Sequence, residues 1–148
     1  MPTPTTTIDS LKTILFRNGS ATVNFPPSLA GSSYYIVVKH LNGLQTWSKN
    51  PVPFTTITSY NFTTANSHAY GDNMVQVDFD PARWALYSGD MNQDQNIDLI
   101  DFPVLDLGIN QGLYGYYKSD LNGDGNVDLL DFPVLDANIN AGVFARHP

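Results

Sequence analysis

Residues 120–136 read Asp120-Leu-Asn-Gly-Asp-Gly-Asn-Val-Asp-Leu-Leu-Asp-Phe-Pro-Val-Leu-Asp136. The same pattern stands earlier in the chain as Asp90-Met-Asn-Gln-Asp-Gln-Asn-Ile-Asp-Leu-Ile-Asp-Phe-Pro-Val-Leu-Asp106. Each copy continues to an Ile-Asn pair, Ile109-Asn110 or Ile139-Asn140, and then reaches a glycine. The linker between the copies carries Leu113, Tyr114, Tyr116 and Tyr117.

The spacing of oxygen-bearing side chains in these copies matches a calcium loop. Calcium takes six to eight oxygen ligands, and a twelve-residue loop supplies them from positions 1, 3, 5, 7, 9 and 12. In the second copy these positions are Asp120, Asn122, Asp124, Asn126, Asp128 and Asp131. In the first they are Asp90, Asn92, Asp94, Asn96, Asp98 and Asp101. Position 7 acts through its backbone carbonyl and position 9 often through water. Four carboxylates in twelve residues repel one another unless a cation sits among them. Two calcium ions are therefore expected, with binding coupled to folding of this segment. Magnesium, which prefers a regular octahedron and keeps its waters, fits less well.

The copies differ at position 6, where the loop turns sharply. Gly125 fills it in the second copy and Gln95 in the first. A non-glycine residue held left-handed costs about 1 kcal/mol, so the first site is expected to be the weaker. Position 8, Ile97 or Val127, is expected to pair with its twin in a bridge between the loops.

A short helix is expected after each loop. Pro103 and Pro133 fall in its first turn, where proline is tolerated. Phe102, Leu105 and Ile109 recur at helical spacing, as do Phe132, Leu135 and Ile139, so two apolar stripes should face each other across a pseudo-twofold axis. Asp101 and Asp131 fall near the positive helix ends, which favours their ionised form.

Outward from the repeats, composition sets the class. The chain has 148 residues, 42% of them hydrophobic, which suits a globular protein. It has no cysteine, which excludes disulfides, thiolate metal sites and a cysteine nucleophile. All fourteen acidic residues are aspartate, and ten of them lie after residue 89. Against Lys118 and Arg146 they give that segment a net charge of −8, which repels nucleic acid and anionic membrane. No apolar run is long enough to span a bilayer. The opening Met-Pro-Thr-Pro-Thr-Thr-Thr is not a signal peptide; it reads as a flexible tail over residues 1–7.

Residues 8–88 read as all-β. Ala21–Phe25 and Val75–Phe79 alternate apolar and polar, as half-buried strands do. Ser33–Lys39 suits a central strand, and Thr55–Thr64 is rich in strand formers. Leu11–Arg17, Leu44–Ser48 and Arg83–Tyr87 are weaker candidates. Turn chemistry at Asn18-Gly19, Pro26-Pro27, Asn42-Gly43, Pro51, Pro53 and Gly71-Asp72 separates them. The expected architecture is mainly β with a small α part. It comprises a seven-stranded Ig-like or prealbumin-like sandwich over 8–88 and a calcium-binding domain of paired loop-helix units over 89–148.

The paired repeats resemble the dockerin family. The features that carry the likeness are two loop-plus-helix repeats without a helix ahead of each loop, and Asp at position 12. They cover residues 89–142. Tyr34–His40, Leu44–Ser48 and Tyr87–Asn92 resemble C-terminal regions of surface and adhesin-like proteins of Bacteroidetes-type bacteria. The resemblance implies an extracellular or cell-surface setting. It also implies a partner, cohesin, recognised at loop positions 10 and 11. Those positions are Leu99-Ile100 and Leu129-Leu130. They lack polar recognition chemistry, so burial against the β-domain is the expectation and contact with a more apolar partner the alternative. The resemblance further implies a strand missing from the β-domain, and an open sheet edge invites self-association.

Other constellations carry less. His40, His68 and His147 lie near no nucleophile or second ligand in sequence, and no nucleophile-elbow motif accompanies them. The carboxylates are committed to the loops, which argues against glycoside hydrolysis. Trp47, Tyr34, Tyr35 and Tyr60 could stack on a sugar, but strand aromatics more often serve a core. The expectation is a non-catalytic, calcium-stabilised structural or adhesive module; a cohesin-binding or self-assembling module is its rival.

Overall fold

The computed structural model describes residues 6–16 and 18–148. Residues 1–5 of the expected tail and Arg17 of the first candidate strand lie outside the described residues.

The expected seven-stranded sandwich is not formed. Among the described residues, six short strands make three separate two-stranded antiparallel sheets. Strand β1 (Ser33–Tyr34) pairs with β4 (Val52–Pro53), with Tyr34 opposite Val52. Strand β2 (Val37–Val38) pairs with β3 (Thr46–Trp47), with Val37 opposite Trp47. Strands β5 (Val75–Phe79) and β6 (Ala82–Ala85) form a hairpin with a register shift between Gln76 and Asp78. Ala21–Phe25 and Thr55–Thr64 form no strand, and the Ser33–Lys39 stretch breaks into β1 and β2.

The reason lies in what this half can bury. Between residues 8 and 88, among the described residues, the buried apolar side chains are Leu44, Ala69 and Met74. Ile8, Leu11, Ile14, Leu15, Phe16, Val23 and Ile57 stay exposed. Without a shared apolar layer, two sheets have nothing to pack across. Pro51 and Pro53 further limit β4, since proline donates no ladder hydrogen bond. Local aromatic pairs hold the segment instead, among them Tyr34 on Phe54 at 5.4 Å and Tyr35 on Trp47 at 5.9 Å. Tyr60 stacks edge-on against Phe62 at 4.8 Å. The four aromatics considered for sugar stacking are thus half-buried, each against a neighbour or its own strand.

The two helices form where expected, α1 over Phe102–Asn110 and α2 over Phe132–Asn140, each with proline in its first turn. Each ends in the same way. The Gly112 N–H donates to the Ile109 carbonyl and the Leu113 N–H to the Gly108 carbonyl; Gly142 and Val143 repeat this on Ile139 and Asn138. Both glycines sit at φ +62, the left-handed turn that closes a Schellman motif.

The core belongs to this half. Met91, Ile97, Leu105, Leu121, Val127, Leu135, Val143 and Ala145 form one buried cluster, and Leu44 enters it from the β segment. Leu105 and Leu135 are fully buried, each contributing about 1.5–3 kcal/mol of apolar transfer. Phe102 and Phe132 meet edge to face at 5.7 Å, so the two apolar stripes do face each other.

The bridge between Ile97 and Val127 is not found. Each loop pairs instead with the segment that follows the other helix. The Ile97 N–H donates to Val143 O at 3.0 Å and the Ala145 N–H to Gln95 O at 2.8 Å. In the other half, Val127 donates to Leu113 O at 2.9 Å and Gly115 to Gly125 O at 2.7 Å. The resulting bridges are Asn96 with Phe144 and Tyr114 with Asn126. Ile97 and Val127 are buried, and the exchanged segments satisfy their backbone donors where a direct pairing would have.

Candidate metal centre

The last aspartate of each loop organises its backbone. Asp101 Oδ1 accepts the Met91 N–H at 2.7 Å and the Asn92 N–H at 3.0 Å, while Oδ2 accepts the Asp98 N–H at 3.1 Å. Asp131 repeats this with Leu121 at 2.6 Å, Asn122 at 3.0 Å and Asp128 at 3.0 Å. Both carboxylates are fully buried. They occupy the N-cap positions of α1 and α2 but make no capping hydrogen bond. Burial outweighs the favourable field expected at a helix end, and the Asp101 carboxyl is pushed above the usual carboxylate range.

Short side-chain turns build the rest of each loop. Asn92 Oδ1 accepts from Asp94 N–H at 2.9 Å, Asp94 Oδ1 from Asn96 N–H at 2.9 Å, and Asp98 Oδ1 from Ile100 N–H at 2.7 Å. Asn122, Asp124 and Asp128 make the same contacts to Asp124, Asn126 and Leu130, at 2.8, 2.8 and 2.7 Å. The Asn126 N–H draws the Asp124 carboxyl below its ordinary range. Every residue expected to hold a metal therefore sits in one of two matching loops.

The matching is not complete. In the second loop both oxygens of Asp120 are engaged, by Gly123 N–H at 2.8 Å and Gly125 N–H at 3.1 Å. In the first, Asp90 Oδ2 accepts the Gln95 N–H at 3.2 Å, and Oδ1 is buried with no partner. Asp90 is 1% exposed, and burial, with the nearby charges of Asp101 and Asp94, pushes its carboxyl up to about 6. The Gln93 side chain takes a different route, donating to the Asp90 carbonyl at 2.6 Å.

Two residues in the first loop are held left-handed: Gln95 at φ +76, as expected, and Gln93 at φ +63. Their counterparts are Gly125 at φ +87 and Gly123 at φ +78. The clue to Gln93 was visible in the second copy, where a glycine stands at position 4. Replacing Gln95 with glycine should raise stability by about 1 kcal/mol, read from the urea midpoint. Gln93→Gly should gain less, because it also loses the bond to Asp90. No gain from either replacement would show that the left-handed turns are not strained.

Among the described residues, no three His, Cys, Asp or Glu side chains are drawn together into a group that could hold a metal on their own. The donors the loops do supply fit a hard cation: they are oxygens alone, from carboxylate, amide and backbone carbonyl. The buried, unpartnered Asp90 Oδ1 is the sharpest sign of fit, since a buried carboxylate oxygen without a partner is costly.

Leu99, Ile100, Leu129 and Leu130 are not buried against the β segment. They are 74, 65, 75 and 65% exposed. Each lies between the half-buried position-9 aspartate and the fully buried position-12 aspartate, on a stretch of loop that faces solvent. The histidines lie apart: His40 Nε2 meets the Tyr116 hydroxyl at 3.0 Å, His68 Nδ1 meets the Asn61 carbonyl at 2.6 Å, and His147 packs by Trp47 at 6.1 Å. Among the described residues no helix is long and apolar enough to cross a membrane. No family model matches the chain, and neither a curated protein nor a solved structure is significantly similar to it.

Proposed function

We propose that the chain is a non-catalytic, calcium-binding structural or adhesive module of an extracellular or cell-surface protein. Asp90, Asn92, Asp94, the Asn96 carbonyl, Asp98 and Asp101 would hold one ion. Asp120, Asn122, Asp124, the Asn126 carbonyl, Asp128 and Asp131 would hold the other. The bound ion supplies counter-charge to carboxylates that otherwise repel. The observation that carries this reading is the repeated loop scaffold, in which a buried aspartate gathers three backbone N–H groups and leaves oxygen donors around it. The orphaned oxygen of Asp90 adds to it. A chain without cysteine gains from a metal what small extracellular domains gain from disulfides, and weak calcium sites serve outside the cell. Calorimetric titration with calcium should give two ions per chain, reduced to one in Asp124→Ala. Heatless titration with no change in circular dichroism would overturn the reading.

A second reading is favoured by the exposure of Leu99, Ile100, Leu129 and Leu130. In it the module is of dockerin type and recognises a cohesin-like partner through these aliphatic side chains. A pull-down with cohesin-like domains, with and without calcium, separates the two. Calcium-dependent capture that is lost in a Leu99→Ser, Leu129→Ser double variant selects the second.

A further inference from the structure

Each loop is tied to the β segment by its own route. The first route is the C-terminal strap, Val143–His147. One side of it bonds the first loop, through Val143 O to Ile97 N–H and Ala145 N–H to Gln95 O. Its other contacts reach the β segment. The Phe144 carbonyl accepts Asn73 Nδ2 at 2.9 Å. Arg146 packs so closely over Gly71 that a Cβ there would lie 2.9 Å from it. His147 sits against Trp47.

The second route starts at Asp120, the first residue of the second loop. Its carbonyl accepts Asn42 Nδ2 at 3.0 Å. Asn42 stands beside the Gly43–Ser88 bridge, and its own carbonyl accepts the Gly89 N–H at 2.8 Å. Two residues after Asn42, Leu44 is buried in the core that the two helices share. The segment paired with the second loop also reaches across, through the Tyr116 hydroxyl to His40 Nε2.

The β segment buries too little apolar surface to be ordered without these ties. Its sheets are two strands each, and isolated two-stranded sheets are marginal in water. Its buried Thr46 and Ser48 bond within the segment, Thr46 Oγ1 to the Leu44 carbonyl and Ser48 to the Ile36 and Asn50 carbonyls.

We infer that calcium in the two loops sets the order of residues 36–73, through the strap 143–147 and through Asn42. This rests on the calcium reading above. An open loop would release Gln95, Ile97 and Asp120 from the geometry that these ties require. Trp47, half-buried with its Nε1 enclosed, would then meet water. The two loops act at different points of the segment: the first on Trp47 and Gly71, the second on Asn42.

The chain has two tryptophans, so a Trp84→Phe variant leaves Trp47 as sole reporter. Its emission is followed during a calcium titration beside far-ultraviolet circular dichroism. The expected result is a red shift on chelation with the same midpoint as the loss of helix, reversed by calcium. An Ala145→Pro variant removes the strap's N–H donor without touching a proposed ligand. In it the calcium-dependent shift of Trp47 should be largely lost while the helical response persists. Helical change with unmoved Trp47 emission in the parent would overturn the inference and leave calcium binding standing. Absence of any calcium heat or helical response would overturn both.

Discussion

Removing calcium should weaken the ellipticity of α1 and α2 and lower the thermal midpoint of the chain. The size follows from linkage. A ligand at a hundred times its dissociation constant stabilises by about 2.7 kcal/mol per site. Two sites give roughly 5 kcal/mol, against a usual total of 5–15 kcal/mol for a folded domain. For a chain of this length that is a fall of roughly 10–20 °C. The helical half should respond most, because its core is assembled from the loops themselves: Met91, Ile97, Leu121 and Val127 are loop residues. Magnesium at equal concentration should restore little of the loss. A melting curve unchanged by chelator, at millimolar starting calcium, would remove the two loops from any role in metal binding.

The second large effect should come from Asp131→Ala, and it should persist in chelator. Asp131 is fully buried and accepts three backbone N–H groups, from Leu121, Asn122 and Asp128. Each buried donor left without a partner costs about 1–3 kcal/mol. The variant should therefore lose about 3 kcal/mol or more in the absence of metal, measured by urea denaturation. Asp124→Ala is the control. Asp124 is exposed, and its loss should cancel the calcium increment of the second site while leaving metal-free stability nearly unchanged. If the two variants behave alike in chelator, Asp131 is only a ligand and not the organiser of its loop.

The sequence made the loops and helices readable because their signals are local. A twelve-residue pattern of Asp and Asn dictates its own turns, as the contacts from Asn122 to Asp124 and from Asp124 to Asn126 show. Pro133 and Gly142 bracket α2 for equally local reasons. What failed was everything decided at a distance. Alternation in Ala21–Phe25 identifies a possible strand, but pairing requires a partner with an apolar face to share, and none of its residues is buried. The burial expected for Leu99 and Leu129 followed from their chemistry alone, whereas the loop, anchored by the buried Asp101 and Asp131, leaves them exposed. The exchange of segments between the loops is also non-local. Nothing in Ile97 or Val127 says which backbone carbonyl will take its N–H. Asp90 marks the middle ground: its place in the loop was evident, but its orphaned oxygen depends on the position-4 N–H, which bonds Asp120 Oδ1 from Gly123 and leaves Asp90 Oδ1 without a partner at Gln93.

That exchange sets an order of assembly. The second loop closes on a segment already made, with Val127 bonding Leu113 across 14 positions. The first must wait for the segment after α2, because Ile97 bonds Val143 across 46 positions. The longer closure costs roughly 1 kcal/mol more in chain entropy. During synthesis, which delivers the chain from its N-terminus, the first loop stays unpaired until residues 143–145 have emerged. The loop that starts first finishes last, so the repeats mature in the reverse of their order along the chain.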